Sequence, residues 1–307
     1  MARLMLLLPA ASRFAGIPLP AALAKALGRA ERIQAEPGEP ALLARHLRLL
    51  PQGWPAAALT RLLDAGEGDA RAGAWLRADP AHVRADINGV RLLGTGAALG
   101  LDRHDAEALL PTLRPLFGDA GFQLDAPHPA RWYLRLPAGT PLPAFASPDD
   151  ALGDDLFEHA PGGDAGRRWR ALESEVQVTL HHHPHNAARL ASGRVPVNSL
   201  WFWGGGALPH AVSAAAPTVY SDDPAVLGAA RLGSLRGMPL PATLEIDGDA
   251  LVDLRGQRDV RGLVDRWLLP ASVRGEAVFD FADGRAFALR PAQRWRVWRR
   301  PLAAIPA

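Results

Sequence analysis

The 307-residue chain is 48% hydrophobic and 21% charged, with 28 prolines and 30 glycines spread along it; it can bury a core as one large domain or two smaller ones, which excludes a largely disordered protein. The formal net charge is only +2 although the isoelectric point is near 9.6. Lys25 is the single lysine, so a small excess of arginine carries the isoelectric point and no nucleic-acid partner follows from it. With no cysteine in the chain, disulfides, thiolate metal sites and a cysteine nucleophile are excluded.

Leu4 to Leu8 is a continuous apolar run ended by Pro9, which predicts a strand buried on both faces of a parallel sheet and is too short for a signal-peptide core. No run approaches the ~18–20 apolar residues of a membrane span, so a soluble, cytoplasmic protein with no membrane partner is expected. Helical patterns follow at 21–29, 40–50 and 55–63. From Trp75 to Leu136 the pattern predicts strands near 83–93, 122–124 and 131–136 around a helix over 105–117, capped by Asp105 and kinked or broken at Pro111 and Pro115. Residues 137–153 read as a linker. A helix over 165–180 leads into the tract His181, His182, His183, Pro184, His185, then a short helix with Asn186 as its expected cap. Strand 197–203 follows, and Gly204-Gly205-Gly206 reads as a turn of the kind that borders ligand crevices in open α/β sheets. Beyond lie a strand at 218–221, a helix at 224–235, a hairpin over 243–254 around Asp247-Gly248, and a helix over 256–268. A β-meander of 277–281, 286–289 and 294–298 closes the chain.

The segment His183-Pro184-x-Asn186-x-x-Arg189, then Gly193-x-x-Pro196-x-Asn198-x-x-Trp201-x-Trp203-Gly204-x-Gly206, resembles the central signature of the archaeal-type cofactor-independent phosphoglycerate mutases. The chain also looks like the RpfE-type regulatory proteins, on Asp79-Pro80-x-His82 and Arg131-Trp132-Tyr133. The first resemblance implies an alkaline-phosphatase-like fold. With the pattern above it gives an α/β class: a mostly parallel sheet with helices on both faces, formed by residues 1–72 and 160–307. An α+β cap is inserted at 73–159, and the β-meander closes the chain. Those enzymes hold metal with Asp-Gly at the end of the first strand, where this chain has Leu8-Pro9-Ala10-Ala11, which offers a hard cation nothing. They also need a Ser or Thr nucleophile and late Asp and His pairs, but after Trp203 there is no Asp-x-x-x-His or Asp-His pair and His210 is the last histidine.

The expectation is therefore a degenerate mutase-like protein with no cofactor. It would bind a small phosphorylated or carboxylate ligand, or a protein partner, through His181, His183, Asn186, Arg189, Asn198, Trp201, Trp203, Gly204 and Gly206. Several of these residues have a plainer reading. The histidines can form hydrogen bonds at a helix junction, since no third ligand arm of zinc type is present. Asn186 and Asn198 can satisfy backbone groups, and the tryptophans can fill a core. Asp222-Asp223-Pro224 could hold metal and is better read as a helix start. Arg294-Trp295-Arg296-Val297-Trp298 could bind single-stranded nucleic acid and is better read as a half-buried last strand. Two alternatives stay open: an active metal-dependent mutase or phosphatase with rearranged ligands, and a nucleic-acid-binding regulator.

Overall fold

The computed structural model describes residues 3–87 and 89–306, leaving Asn88 of the expected strand 83–93 outside the described residues. The chain forms two compact units, one of residues up to Gly53 with those from Pro209 onward, the other Trp54–Leu208. The sequence division at 73–159 is narrower than the second unit. Helix Ala56–Ala65 and strand Ser199–Ala207, both outside that range, pack on strand Ala74–Asp86 within it.

In the first unit the opening strand, Arg3–Leu8, runs parallel to Ala250–Asp253 on one side and Glu276–Phe281 on the other. Thr218–Tyr220 and then Arg236–Met238 continue the parallel sheet beyond Ala250–Asp253. Arg285–Leu289 and Glu31–Gln34 add two antiparallel strands at the opposite edge, so the sheet is mostly parallel and the class is α/β. Leu4 to Leu8 expose 2% or less each, which is what an apolar run without alternation encodes. Leu4, Leu6 and Leu8 share one core with Val252, Phe279 and Phe281, closed by Leu23, Leu27, Trp267 and Leu268. Met5 and Leu7 face the other way by the strand period of two. On that face, helix Glu39–His46 is tied to Asp280 through Arg45 and His46.

Several expected elements change form. The helix predicted over 40–50 stops at His46, and Leu47–Leu50, with alternating burial, pairs antiparallel with Ala211–Ala214. The hairpin predicted over 243–254 does not form, because Ala250–Asp253 fills a slot between two parallel neighbours. The helix predicted over 256–268 starts at Val260 and passes through a π turn at Val264–Leu268. The third strand of the meander is a 3-10 turn, Pro291–Trp295. Gln293 closes that turn, its Nε2 donating to the Ala288 carbonyl at 3.1 Å and its Oε1 accepting from the Arg290 amide at 3.1 Å.

In the second unit Ala74–Asp86 is the spine. It pairs antiparallel with Ser199–Ala207 along one edge and with Arg131–Leu136 and Gly89–Thr95 along the other, and Gln123–His128 extends the sheet. Leu76 and Ala78 face a core built with helices Arg103–Asp119 and Gly163–His181. Arg77 alternates to the opposite face and reaches Thr60 of helix Ala56–Ala65. Helix Arg103–Asp119 runs unbroken past the exposed Pro111 and Pro115, and its cap is Asp102, not Asp105. Asp105 is the return arm of the capping box, its Oδ2 accepting from the Asp102 amide at 3.1 Å while its own amide donates to Asp102 Oδ1 at 2.8 Å. The glycine triplet lies inside strand Ser199–Ala207 and makes no turn. A Cβ at Gly204 (φ +65°) would sit 2.8 Å from Ala56 Cβ, and one at Gly206 (φ +148°) 2.8 Å from Pro55 Cβ. The glycines therefore let helix Ala56–Ala65 lie directly on the strand.

Candidate functional site

In an open α/β sheet, chemistry gathers at the carboxyl ends of the parallel strands. Three such ends in the first unit carry polar residues buried among apolar ones: Ser221 after Thr218–Tyr220, Asp253 closing Ala250–Asp253, and Asp280 within Glu276–Phe281. Leu7 of the opening strand is in register with both Asp253 and Asp280, so the row reads Asp-Leu-Asp across three adjacent strands. Ser221 is fully buried, and its hydroxyl donates to Asp253 Oδ2 at 2.8 Å while accepting from the Asp223 amide at 2.9 Å.

Each carboxylate of the row already has its cation. Arg255 grips Asp253 with both ends of its fork, Nε to Oδ1 at 2.8 Å and Nη2 to Oδ2 at 2.9 Å. The same guanidinium reaches Asp223 at 3.1 Å and Glu39 at 2.7 Å. Burial works against the Arg255 charge, but the three carboxylates outweigh it and hold its pKa above the ordinary value. Across Leu7, Asp280 takes two bonds from Arg45, at 2.8 and 3.0 Å, and one from His46 Nε2 at 2.8 Å. Burial alone pushes the Asp280 carboxyl up; the His46 and Arg45 bonds win and leave it below the usual range. Among the described residues no group of three or more His, Cys, Asp and Glu side chains is placed to hold a metal ion. Asp223 also caps helix Pro224–Leu232 by accepting from the Ala225 amide at 2.8 Å, as the sequence reading preferred.

The nine residues singled out from sequence lie in the second unit and fall into two neighbourhoods. His181 and His182 are exposed and stack edge to face on each other. His183, not Asn186, caps helix Pro184–Ala191, and its Nε2 lies 3.1 Å from the Thr112 hydroxyl. Burial first, and then the His185 charge, lower its pKa. Asn186 is a buried clip whose Nδ2 donates to the carbonyls of Leu180 at 2.8 Å and Val197 at 2.7 Å, while its Oδ1 accepts from the Val197 amide at 3.0 Å. Arg189 is fully buried and bonds to Asp105 and to the carbonyls of Val195 and Leu99. Asp105, which exposes 1%, also meets His185 at 2.7 Å.

The second neighbourhood follows strand Ser199–Ala207. Asn198 makes a two-way bond with the Val83 backbone, at 2.8 and 2.7 Å. Trp201 donates to the Ala146 carbonyl, and Trp203 donates to Asp79 at 2.6 Å. Asp79 is also held by Arg77, whose guanidinium lies 5.2 Å from the Trp203 ring centre and 5.5 Å from that of Tyr133. Gly204 and Gly206 meet the helix as described above. A cavity of about 20 Å³, with Phe145, Trp169, Glu173, Trp201 and Phe202 among its lining, has room for about one water.

Sequence reasoning missed Ser221, Asp253, Arg255, Glu39, Asp280, Arg45 and His46. The readable signal was a lone carboxylate closing an apolar strand, as in Leu251-Val252-Asp253. A search for metal-type Asp and His spacings passes over it, because the partner is an arginine.

No family model matches the chain. A probable 2,3-bisphosphoglycerate-independent phosphoglycerate mutase of Geobacter sulfurreducens is 29% identical over 144 residues, 43% of this chain and 35% of that protein. The 2,3-bisphosphoglycerate-independent phosphoglycerate mutase of Methanosarcina mazei is 32% identical over 99 residues, 32% of this chain and 24% of that protein. That of Methanosarcina barkeri is 37% identical over 62 residues, 20% of this chain and 16% of that protein. The chain thus matches about a third or less of these relatives' length. Among solved structures, a cofactor-independent phosphoglycerate mutase from Thermoplasma acidophilum aligns with TM-score 0.41 and 16% identity, over 95% of this chain and 90% of that one. Protein PH0037 of Pyrococcus horikoshii aligns with TM-score 0.43 and 11% identity, over 98% and 90%. In part of its sequence the chain is phosphoglycerate-mutase-like.

Proposed function

We propose that this chain is a mutase-like regulatory protein of the RpfE type, which binds a small phosphorylated or carboxylate ligand or a protein partner in the cytoplasm and does not transfer phosphate. The observation that supports this is the Arg255 guanidinium set among Asp253, Asp223 and Glu39 at the strand ends. Metal-assisted phosphoryl transfer requires carboxylates free to hold a divalent cation. Here they do not fit one: an arginine fork occupies the space between them, and Leu7 and Leu8 stand where the opening strand would have to supply a further oxygen. One feature favours an active mutase or phosphatase instead. The Ser221 hydroxyl donates to a carboxylate at the end of a parallel strand, as an activated nucleophile would.

A single experiment separates the two readings. The purified full chain is assayed for interconversion of 3- and 2-phosphoglycerate with and without added Mn²⁺, Mg²⁺ or Zn²⁺. Its metal content and its thermal shift with 3-phosphoglycerate are measured on the same sample. The regulatory reading expects no turnover above the blank and less than stoichiometric metal. Turnover that disappears in Ser221→Ala, with stoichiometric metal in the parent, overturns it.

A further inference from the structure

Alternation at 294–298 predicts a half-buried strand. Instead, Trp295, Val297 and Trp298 expose 68%, 72% and 74% of their surface within four positions, the last two on a turn. Apolar side chains clustered this densely at the surface call for a partner. From 285 to 306 the chain has arginines at 285, 290, 294, 296, 299 and 300 and no acidic residue. Arg285 pairs with Asp283 and Arg290 with Glu31, whereas Arg294, Arg296, Arg299 and Arg300 meet no acidic side chain among the described residues.

The turn is also held firmly from behind. Gln293 is buried on one side of it and Ile305 on the other. Arg296 Nη1 donates to the Arg29 carbonyl at 3.1 Å, Arg29 Nη1 donates to the Arg294 carbonyl at 3.0 Å, and the Leu302 amide donates to the Ala24 carbonyl at 2.9 Å. Gly28 has no side chain to collide with the Arg300 carbonyl, so the segment lies directly on helix Ala21–Arg29. A fixed base therefore presents two exposed indoles and a valine in a segment whose Arg294, Arg299 and Arg300 are exposed as well.

We propose that this turn docks the protein on an anionic lipid surface, with Trp295, Val297 and Trp298 entering the interface and the exposed Arg294, Arg299 and Arg300 meeting the headgroups. Indole rings favour the boundary between headgroup and hydrocarbon, and each arginine near such a surface adds its own attraction. Such docking needs no membrane span, so the absence of a long apolar run, from which no membrane partner is expected, does not bear on it. Single-stranded nucleic acid fits less well. Val297 offers a base nothing to stack on, and the Arg294 guanidinium already sits 4.9 Å from the Trp295 ring centre. A second copy of the chain, docking through this turn about a two-fold axis, would set arginine against arginine.

The test is co-sedimentation of the full chain with vesicles of phosphatidylglycerol and phosphatidylcholine, against vesicles of phosphatidylcholine alone, at low and high salt. Binding to the anionic vesicles only is expected. It should weaken at high salt and fall about fivefold for each of Arg299→Gln and Arg300→Gln. Trp298→Ala should lower it about tenfold, while Arg103→Gln, an exposed charge in the other unit, leaves it unchanged. Thermal midpoints of these surface variants should match the parent and exclude misfolding. No binding, equal binding to both vesicle types, or equal binding by Trp298→Ala overturns the proposal. So does tighter retention on a single-stranded oligonucleotide than on vesicles, which would assign the turn to nucleic acid, or concentration-dependent dimerisation lost in Trp298→Ala.

Discussion

Asp253 and Asp280 stand on opposite sides of Leu7 in one row of the parallel sheet, each neutralised by its own arginine rather than by a shared cation. Two strand spacings separate them, roughly 10 Å, too far for one ion to touch both. Leu7 between them is fully buried and apolar. The polar groups at these strand ends are thus two closed ion-pair clusters divided by a hydrophobic side chain, and each should behave as a structural unit in its own right.

Removing the cation from the first cluster tests that view. Arg255→Met leaves Asp253, which exposes 6%, without its bidentate partner, and loss of one member of a buried pair costs about 3–5 kcal/mol. The double variant Arg255→Met, Asp253→Asn removes the orphaned charge and should recover more than half of that loss. Urea unfolding of the parent, the single and the double variant measures both numbers. A single variant within about 0.5 kcal/mol of the parent, the range of ordinary surface changes, would show that the cluster contributes nothing to the fold.

The opening strand was readable because burial on both faces leaves an unbroken apolar run, and helix Gly163–His181 because burial on one face leaves the stripe Trp169, Leu172, Val176 and Leu180. The strand-end clusters were not readable. Arg255 meets Glu39 across 216 positions of sequence, and Arg45 meets Asp280 across 235, so no local spacing announces either contact. Alternation misled at 294–298. Arg-Trp-Arg-Val-Trp has the period of a strand, but both edges of Arg285–Leu289 are already taken, by Glu276–Phe281 and Glu31–Gln34, so no edge remains for it to join. The glycine triplet marked a real constraint and the wrong geometry: it relieves helix packing from within a strand. Asn186 and Arg189 are expected from sequence as ligand contacts; in the structure they hold backbone groups of their own region and Asp105, 84 positions before Arg189.

Asp105 should make stability sensitive to strong acid. Burial raises its pKa, but the His185 bond, the Asp102 amide and Arg189 together bring it down from 3.8 to about 2. A lowered carboxylate contributes stability that is complete above its unfolded value and disappears as the pH falls through the folded one. About 2 kcal/mol should therefore be lost by the parent between pH 4 and pH 2 through this group. Asp105→Asn should be the less stable protein at pH 7, since it strands the fully buried Arg189. Its deficit should narrow by about 2 kcal/mol across the same acid window. Urea midpoints at pH 7, 4 and 2 read this directly, and a deficit that stays constant in acid rules out the assignment.

Glu173 should act in the opposite direction. Its carboxyl lines the small aromatic cavity beside Trp169, Trp201 and Phe202, with the Gln177 amide at 3.4 Å as its neighbour. Burial alone pushes its pKa from 4.5 up to about 7, so the native state holds this proton more tightly than the unfolded chain does. The associated stability is fully present below about pH 4.5 and is lost as the pH rises to about 7, for a total of about 3 kcal/mol. Glu173→Gln keeps the shape of the side chain and cannot ionise. It should match the parent at pH 4 and exceed it by up to about 3 kcal/mol at pH 8. Urea unfolding of the two proteins at pH 4, 6 and 8 gives the comparison, with tryptophan fluorescence as the probe because Trp169 and Trp201 line the same cavity. If the stability difference is the same at all three pH values, the carboxyl is already ionised in the native protein and the burial argument fails.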